Sequence, residues 1–341
     1  MSRIRGVNLG NWLVLEYWMD KNVFNGVNHK DLDETNFCLE LGDEKLQRLK
    51  EHRETFITYE DFVAIKDMGL NTVRIPIPHW LFGDYEPYVG CVEYLDKGMD
   101  WAEKAGLKVL LDLHTVPGSQ NGFDNGGIIG KVEWHTKKEY VDRTVGVIER
   151  VAERYKNHKA LYGIQLLNEP IPMIPKEILR DYYIKGYHAC RKHVGEDIAI
   201  VIHDQFQIKE WKDFMQTNEF KNVVLDTHIY HCFSEEECKF TPNELIEVVI
   251  NKRISDIKEM SEYFPIIVGE WSLGIHPEHT LKGLNKAQVD ALIRAYASVQ
   301  TLAYEYAEGW FFWSYKLNND GAHSWDYRKC IEHHWMPKCI V

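Results

Sequence analysis

Gly163-Ile164-Gln165-Leu166-Leu167-Asn168-Glu169-Pro170 is an apolar run that ends in an acid, and Pro265-Ile266-Ile267-Val268-Gly269-Glu270-Trp271 repeats the arrangement. Each reads as a buried parallel strand, because strands covered on both faces are continuously apolar rather than alternating. Short runs of the same character occur at 4–9, 71–76, 107–113, 162–168, 198–203, 223–228, 265–270 and 309–314. Between them lie stretches with apolar residues at three- and four-residue spacing, at 58–68, 93–105, 138–155, 176–193, 243–261 and 286–306, as helices require. Thr58-Tyr59-Glu60-Asp61 has the form of a helix start, and Gly69 and Gly106 the form of helix ends. Strands separated by helices imply a parallel sheet, and eight is the number that closes into a barrel. The expected fold class is α/β, a (β/α)8 TIM barrel, with residues 1–341 forming a single domain with elaborated βα loops. The first connection, 17–57, is long and polar, with a short helix expected at Asp43–His52. Long loops of this kind usually carry function.

A formal net charge of −12 argues against a nucleic-acid partner, because phosphate binding needs a basic patch. The 11 Trp, 18 Tyr and 14 Phe must mostly be packing, with a surplus able to lie against sugar rings. The cysteines are Cys38, Cys91, Cys190, Cys232, Cys238, Cys330 and Cys339, an odd number without a CxxC pair. A chain of this size needs no staples, so free thiols in a reducing compartment are expected, with a Cys232–Cys238 bridge left open. No apolar run is long enough to span a bilayer, so no membrane is expected. Met1–Asn8 lacks the apolar stretch of a signal peptide. The expected location is therefore cytoplasmic, or secreted if the chain is a processed form.

In a barrel of this kind the carboxyl ends of the strands carry the chemistry. Glu169 and Glu270 would both be delivered there, and two acids so placed suit glycoside hydrolysis: one proton donor, one nucleophile or base. A proton donor needs a raised pKa, which apolar walls and a neighbouring carboxylate supply; that is the expectation for Glu169, with the Asn168 amide beside it to hold a sugar hydroxyl. Arg74 lies inside an otherwise apolar strand, so it must be paired. Glu270 is a candidate partner, and the pairing would keep that acid ionised. His114, His228 and Tyr230 fall at strand ends on the same face, and Trp313 closes the last strand as a floor for a sugar. His228 and His231 lack metal-type spacing, and His333-His334 reads as surface. The polar loop 117–127 lacks the Lys-Ser/Thr of a phosphate cradle; Asp124 within it suits sugar hydroxyls. No Gly-x-Ser-x-Gly turn occurs for serine-triad chemistry.

With these pieces in place, the chain resembles glycoside hydrolase family 5, most closely its fungal exo-β-1,3-glucanases. The resemblance runs through Arg5-Gly6-Val7-Asn8-Leu9-Gly10-Asn11-Trp12, Asp112-Leu113-His114, Gly118–Asp124, Leu167-Asn168-Glu169-Pro170, Val201-Ile202-His203-Asp204, Gly269-Glu270-Trp271 and Phe312-Trp313-Ser314. It implies a retaining mechanism with Glu169 as acid/base and Glu270 as nucleophile. It also implies that Arg74, His114, Asn168, His228, Tyr230 and Trp313 complete the site. By the same resemblance Glu16 and Asp124 bind the terminal glucose, and Phe123 and Phe233 form an aromatic clamp at the entrance.

The expected function is a retaining, exo-acting glycoside hydrolase that releases glucose from β-1,3-glucan oligosaccharides or related β-glucosides. An endo-acting β-glucanase of cellulase type, with an open cleft, is the second reading, and a non-catalytic carbohydrate-binding barrel the third. The two carboxylates suffice, so no cofactor or metal is expected. The partner is a β-linked oligosaccharide or glucoside; the sequence specifies no oligomeric state.

Overall fold

The computed structural model describes residues 3–336; Met1, Ser2 and Cys339 lie outside the described residues. The parallel strands are β1 (Ile4–Asn8), β2 (Thr72–Ile77), β3 (Lys108–Leu113), β4 (Leu161–Gln165), β5 (Ala199–His203), β6 (Val223–Ile229), β7 (Ile266–Trp271) and β8 (Gly309–Phe312). They pair in chain order and β8 pairs back to β1, with Ile4 opposite Gly309 and Gly6 opposite Phe311, so the expected eight-stranded barrel closes as one domain.

The helices are α1 (Glu34–Leu41), α2 (Glu44–Thr55), α3 (Tyr59–Asp67), α4 (Val92–Ala105), α5 (Lys138–Tyr155), α6 (Lys176–Arg191), α7 (Pro242–Glu247), α8 (Ile254–Met260), α9 (Pro277–Thr280), α10 (Lys286–Tyr304) and α11 (Tyr327–Glu332). Helix α5 shows why they cover the barrel: Val141, Thr144, Val147, Ile148, Val151, Ala152 and Tyr155 form one buried stripe. Gly106, at φ 71°, ends α4 in the left-handed conformation that only glycine adopts without strain.

Several boundaries differ from the sequence reading. The 243–261 stretch is broken by a π-helical turn, Val248–Arg253. The fourth and eighth strands stop at Gln165 and Phe312, so Asn168, Glu169 and Trp313 stand in loops beyond them. The 17–57 connection is more ordered than its polarity suggests. It holds α1 as well as α2, and packs Val23, Phe24, Phe37, Cys38 and Leu49 around Trp80 as a small core of its own. Helix α1 is too short for a clear apolar period; its visible cue is Asp33, whose carboxylate caps the Asn36 N–H at 2.8 Å.

The barrel interior has two levels. Ile4, Leu110, Ala199, Val201, Val224, Ile267 and Phe311 fill the amino-terminal half. A Cβ on Gly6 would stand 2.5 Å from the Phe311 ring, so the absent side chain makes room for that ring. Above it, toward the carboxyl ends, lie the buried polar residues Asn8, Arg74, Asp112, Gln165 and Asp226. Of the tryptophans and phenylalanines near the last strand, Phe311 faces this interior, while Trp310 and Phe312 pack outside it against Trp271.

Candidate active site

Arg74 organises the upper level. It is fully buried and donates to Gln165 Oε1, Asn8 Oδ1 and Glu270 Oε1, each at 2.9 Å, and to Asn168 Oδ1 at 2.7 Å. Its Nη2 also lies 3.1 Å from Asp112 Oδ2. The planar guanidinium serves this many partners because its donors diverge in one plane. The expected pairing with Glu270 is therefore present, with Asp112 as an additional partner.

His228 links the two acids. Its Nδ1 is 2.8 Å from Glu169 Oε1 and 3.4 Å from Glu270 Oε2, and its Nε2 is 3.1 Å from Asp226 Oδ2. Burial pushes the imidazole toward neutrality, but Glu270 and Asp226 outweigh it and hold its pKa well above the ordinary value. Burial likewise raises Glu169, yet the hydrogen bond and charge of His228 hold that carboxyl down at about 2. The raised pKa expected at Glu169 is thus reversed in the free site, because the shared proton rests on His228. Glu270 is raised instead: burial and the charge of Glu169 act against His228 and Arg74. The charge of Arg74 lowers it without offsetting that rise.

The backbone at Glu169 is left-handed, with φ 41°. Such strain in a residue with a side chain costs of order 1–2 kcal/mol and recurs at functional sites. Asn125 Nδ2 donates to Glu169 Oε2 at 3.1 Å, and Tyr230 donates its hydroxyl to Glu270 Oε2 at 2.9 Å. His114 Nδ1 meets Asp112 Oδ2 at 2.6 Å, and its Nε2 lies 3.5 Å from Asn168 Nδ2. Trp313 stacks on His114, with ring centres 5.5 Å apart and planes within 7°. Catalytic candidates Glu169 and Glu270 and the residues Arg74, His114, Asn168, His228, Tyr230 and Trp313 therefore form one connected cluster.

Glu16 and Asp124 are brought together beside it. Burial, then the charge of Asp124, push the Glu16 carboxyl well above its ordinary value. Trp18 Nε1 donates to Glu16 Oε2 at 2.9 Å, while Oε1 is buried without a partner. The small core under the first connection explains why Glu16 is held so firmly. Glu34 Oε2 accepts the Leu15 N–H and Asn11 Oδ1 accepts the Glu16 N–H, both at 2.8 Å. Phe123 and Phe233 stand 47% and 71% exposed on the loops after β3 and β6, and Phe233 packs on Tyr230 and Trp325.

Several members escaped the sequence reading. Asp112 and Asp226 each precede a site histidine by two residues, within β6 for His228 and at the end of β3 for His114, a spacing that puts acid and imidazole on one face. The repeated Asp-x-His was visible as a pattern. Asn125, Trp18 and Trp325 come from loops and carried no such period. His231, by contrast, turns away from His228 to meet Tyr296 at 2.6 Å, and His333 and His334 are exposed as expected. Cys232 and Cys238 are free thiols, so the open bridge is not formed.

Glu169, His228 and Glu270 offer one ligand atom each, all within 4.8 Å, the spacing of a divalent-cation site. His228 has both ring nitrogens engaged with carboxylates and its pKa raised, so protons occupy the lone pairs a metal needs. The donor set is suited to holding and moving a proton. Among the described residues no helix is long and apolar enough to cross a membrane.

The cellulase model of glycosyl hydrolase family 5 matches residues 37–319. A glucan 1,3-beta-glucosidase of Yarrowia lipolytica is 35% identical over 380 residues, covering 98% of this chain and 89% of the relative. One of Blumeria graminis is 35% identical over 379 residues, covering 99% and 87%. In structure, the rutinosidase of Aspergillus niger is similar with a TM-score of 0.84 at 21% identity, covering 98% of each chain. An endoglucanase of Thermotoga maritima follows at 0.61 and 18%, covering 97% and 96%. The two structural likenesses are of fold alone.

Proposed function

The chain belongs to glycosyl hydrolase family 5 and is a glycoside hydrolase; from that premise we propose that it is a retaining, exo-acting β-glucosidase of the glucan 1,3-β type. The observation that carries this reading is the spacing of the acids: ligand atoms of Glu169 and Glu270 lie within 4.8 Å across His228. Retaining glycosidases hold their carboxyl groups about 5–5.5 Å apart, whereas inverting ones leave about 6.5–9.5 Å for a water.

In the proposed cycle Glu169 takes the proton held on His228 Nδ1, 2.8 Å away, and passes it to the glycosidic oxygen. Glu270, oriented by Arg74 and Tyr230, attacks the anomeric carbon. Glu169 then deprotonates water, which releases the sugar with its configuration kept. Glu16, repelled by the charges of Asp124 and of both acids, would with Asp124 close the sugar end of the pocket, and that pairing supports release of single terminal residues. Free thiols at all six described cysteines support a reducing, cytoplasmic location.

Hydrolysis of laminaribiose followed by proton NMR should show β-glucose first. Glu270→Gly with added azide should recover turnover and yield the α-azide; α-glucose as first product from the wild type overturns the mechanism. Reduced laminari-oligosaccharides should give glucose alone as the new reducing sugar, and mixed oligomers would mean an endo-acting cleft.

A further inference from the structure

Strand β4 ends at Gln165 and α6 does not begin until Lys176, so Glu169 rides on the loop 166–175. The backbone there is held in an unfavourable shape. Glu169 has φ 41°, whereas the proline that follows it favours extended backbone in the residue before. Strain of this kind persists only where the surroundings over-determine it. For Glu169 those surroundings include two buried glutamines.

Gln120 reaches in from the loop after β3 and Gln205 from the loop after β5, the strands on either side of β4. Gln120 Nε2 donates to His114 O at 2.8 Å and to Asn168 O at 2.9 Å. Gln205 Nε2 donates to Ile171 O at 2.9 Å and to Ile174 O at 2.8 Å. Carbonyl oxygens only accept, so both amides must turn their nitrogen to the loop. Both side chains are buried, and the Oε1 atom of each is buried without a partner. A bare buried acceptor is unfavourable, so each glutamine is placed for its two donations. Of the four carbonyls held, Asn168 lies before Glu169, Ile171 and Ile174 lie after it, and His114 belongs to the site itself. The Ile171 N–H adds a bond back to Gln120 O at 3.3 Å.

We propose that Gln120 and Gln205 are positioning residues for the proton donor: they clamp the loop 168–174 from both sides and set the Glu169 carboxyl at its contacts with His228 and Asn125. The inference rests on the glucosidase reading, in which a shift of about 1 Å at Glu169 is enough to cost about 100-fold in the step it assists.

Methionine has nearly the length of glutamine and no donor, so Gln120→Met and Gln205→Met remove the clamping bonds and keep the bulk. Laminaribiose needs its leaving oxygen protonated, whereas dinitrophenyl β-glucoside does not, because dinitrophenolate departs without a proton. The ratio of kcat/KM for laminaribiose to that for dinitrophenyl β-glucoside should fall about 100-fold in Gln120→Met, which frees the carbonyl next to Glu169. It should fall about tenfold in Gln205→Met. An unchanged ratio in both variants, whether through equal losses or none, overturns the clamp and leaves the glucosidase reading standing. Gln120→Glu repeats the test with the shape of the side chain kept, since it turns an oxygen toward His114 O and Asn168 O where the amide donated. Amide hydrogen exchange over 166–175, read by mass spectrometry, needs no turnover and should be faster in both methionine variants. Unchanged exchange in both counts against the clamp, and faster exchange in a protein whose wild type cleaves neither substrate would sink the glucosidase reading alone.

Discussion

The lower and upper halves of the barrel interior are built from the same strands and obey opposite rules. Below, Ile4, Leu110, Val201, Val224, Ile267 and Phe311 bury carbon against carbon, which stabilises the fold by about 25 cal/mol per Å2 removed from water. Above, Arg74, Asp112, Asp226, His228 and Glu270 are buried charges or charge carriers, each of which costs several kcal/mol to take out of water unless its partners are complete. The lower half is where folding free energy is gained. The upper half spends part of it to set proton positions before a substrate arrives.

The sharpest way to break this contrast is to change one residue in each half and read stability and turnover separately. Glu270→Gln removes the nucleophile and should lower kcat by at least about 10^3-fold, with thermal midpoint unchanged or raised because a crowded negative charge is gone. A variant with near-normal turnover sinks the assignment. Phe311→Ala below should do the reverse: unfolding free energy falls by about 3–5 kcal/mol in denaturant titration, while kcat per folded molecule stays within about threefold. Loss of activity at full stability would mean that the halves are not separable. Gly6→Ala drives a Cβ to 2.5 Å from Phe311 and 2.6 Å from Thr72 O, so a loss of about 1–3 kcal/mol is expected from the same titration.

The smallest effect sharpens the electrical half. Asp226 supports the proton on His228, so Asp226→Asn should weaken that proton's hold and move the basic limb of kcat/KM to lower pH by about one unit, leaving the acidic limb in place. A uniformly scaled profile would show that Asp226 only shapes the pocket. The stability windows have definite signs. His228, raised in the fold, contributes fully below its unfolded value near 6.5 and loses that contribution as pH climbs through its folded value. Glu169, depressed, contributes above about 4.5 and loses it as pH falls toward about 2.

The two halves were not equally legible in the sequence. The apolar runs that build the lower half announce strands through composition alone, and Glu169 and Glu270 stand out as acids at their ends. Arg74 was legible for the complementary reason, a charge where only apolar residues belonged. The location of the shared proton was not, because it depends on His228 meeting Glu169 and Asp226 at once, contacts made across sequence separations of 59 and 2 residues. The loops were harder still. Helix α1 is too short to show a period, and Asn125, Trp18 and Trp325 reach the site only through the path their loops take.

Phe311, fitted over Gly6, closes the barrel beneath the polar level, so nothing reaches the pocket through the floor and its doorway is on the side of the strands' carboxyl ends. In the proposed cycle, the water that frees the sugar must enter by the passage the leaving group has just vacated. An alcohol lingering in that passage competes with water for the same bond, and the branching between hydrolysis and sugar transfer becomes a matter of how quickly the doorway clears.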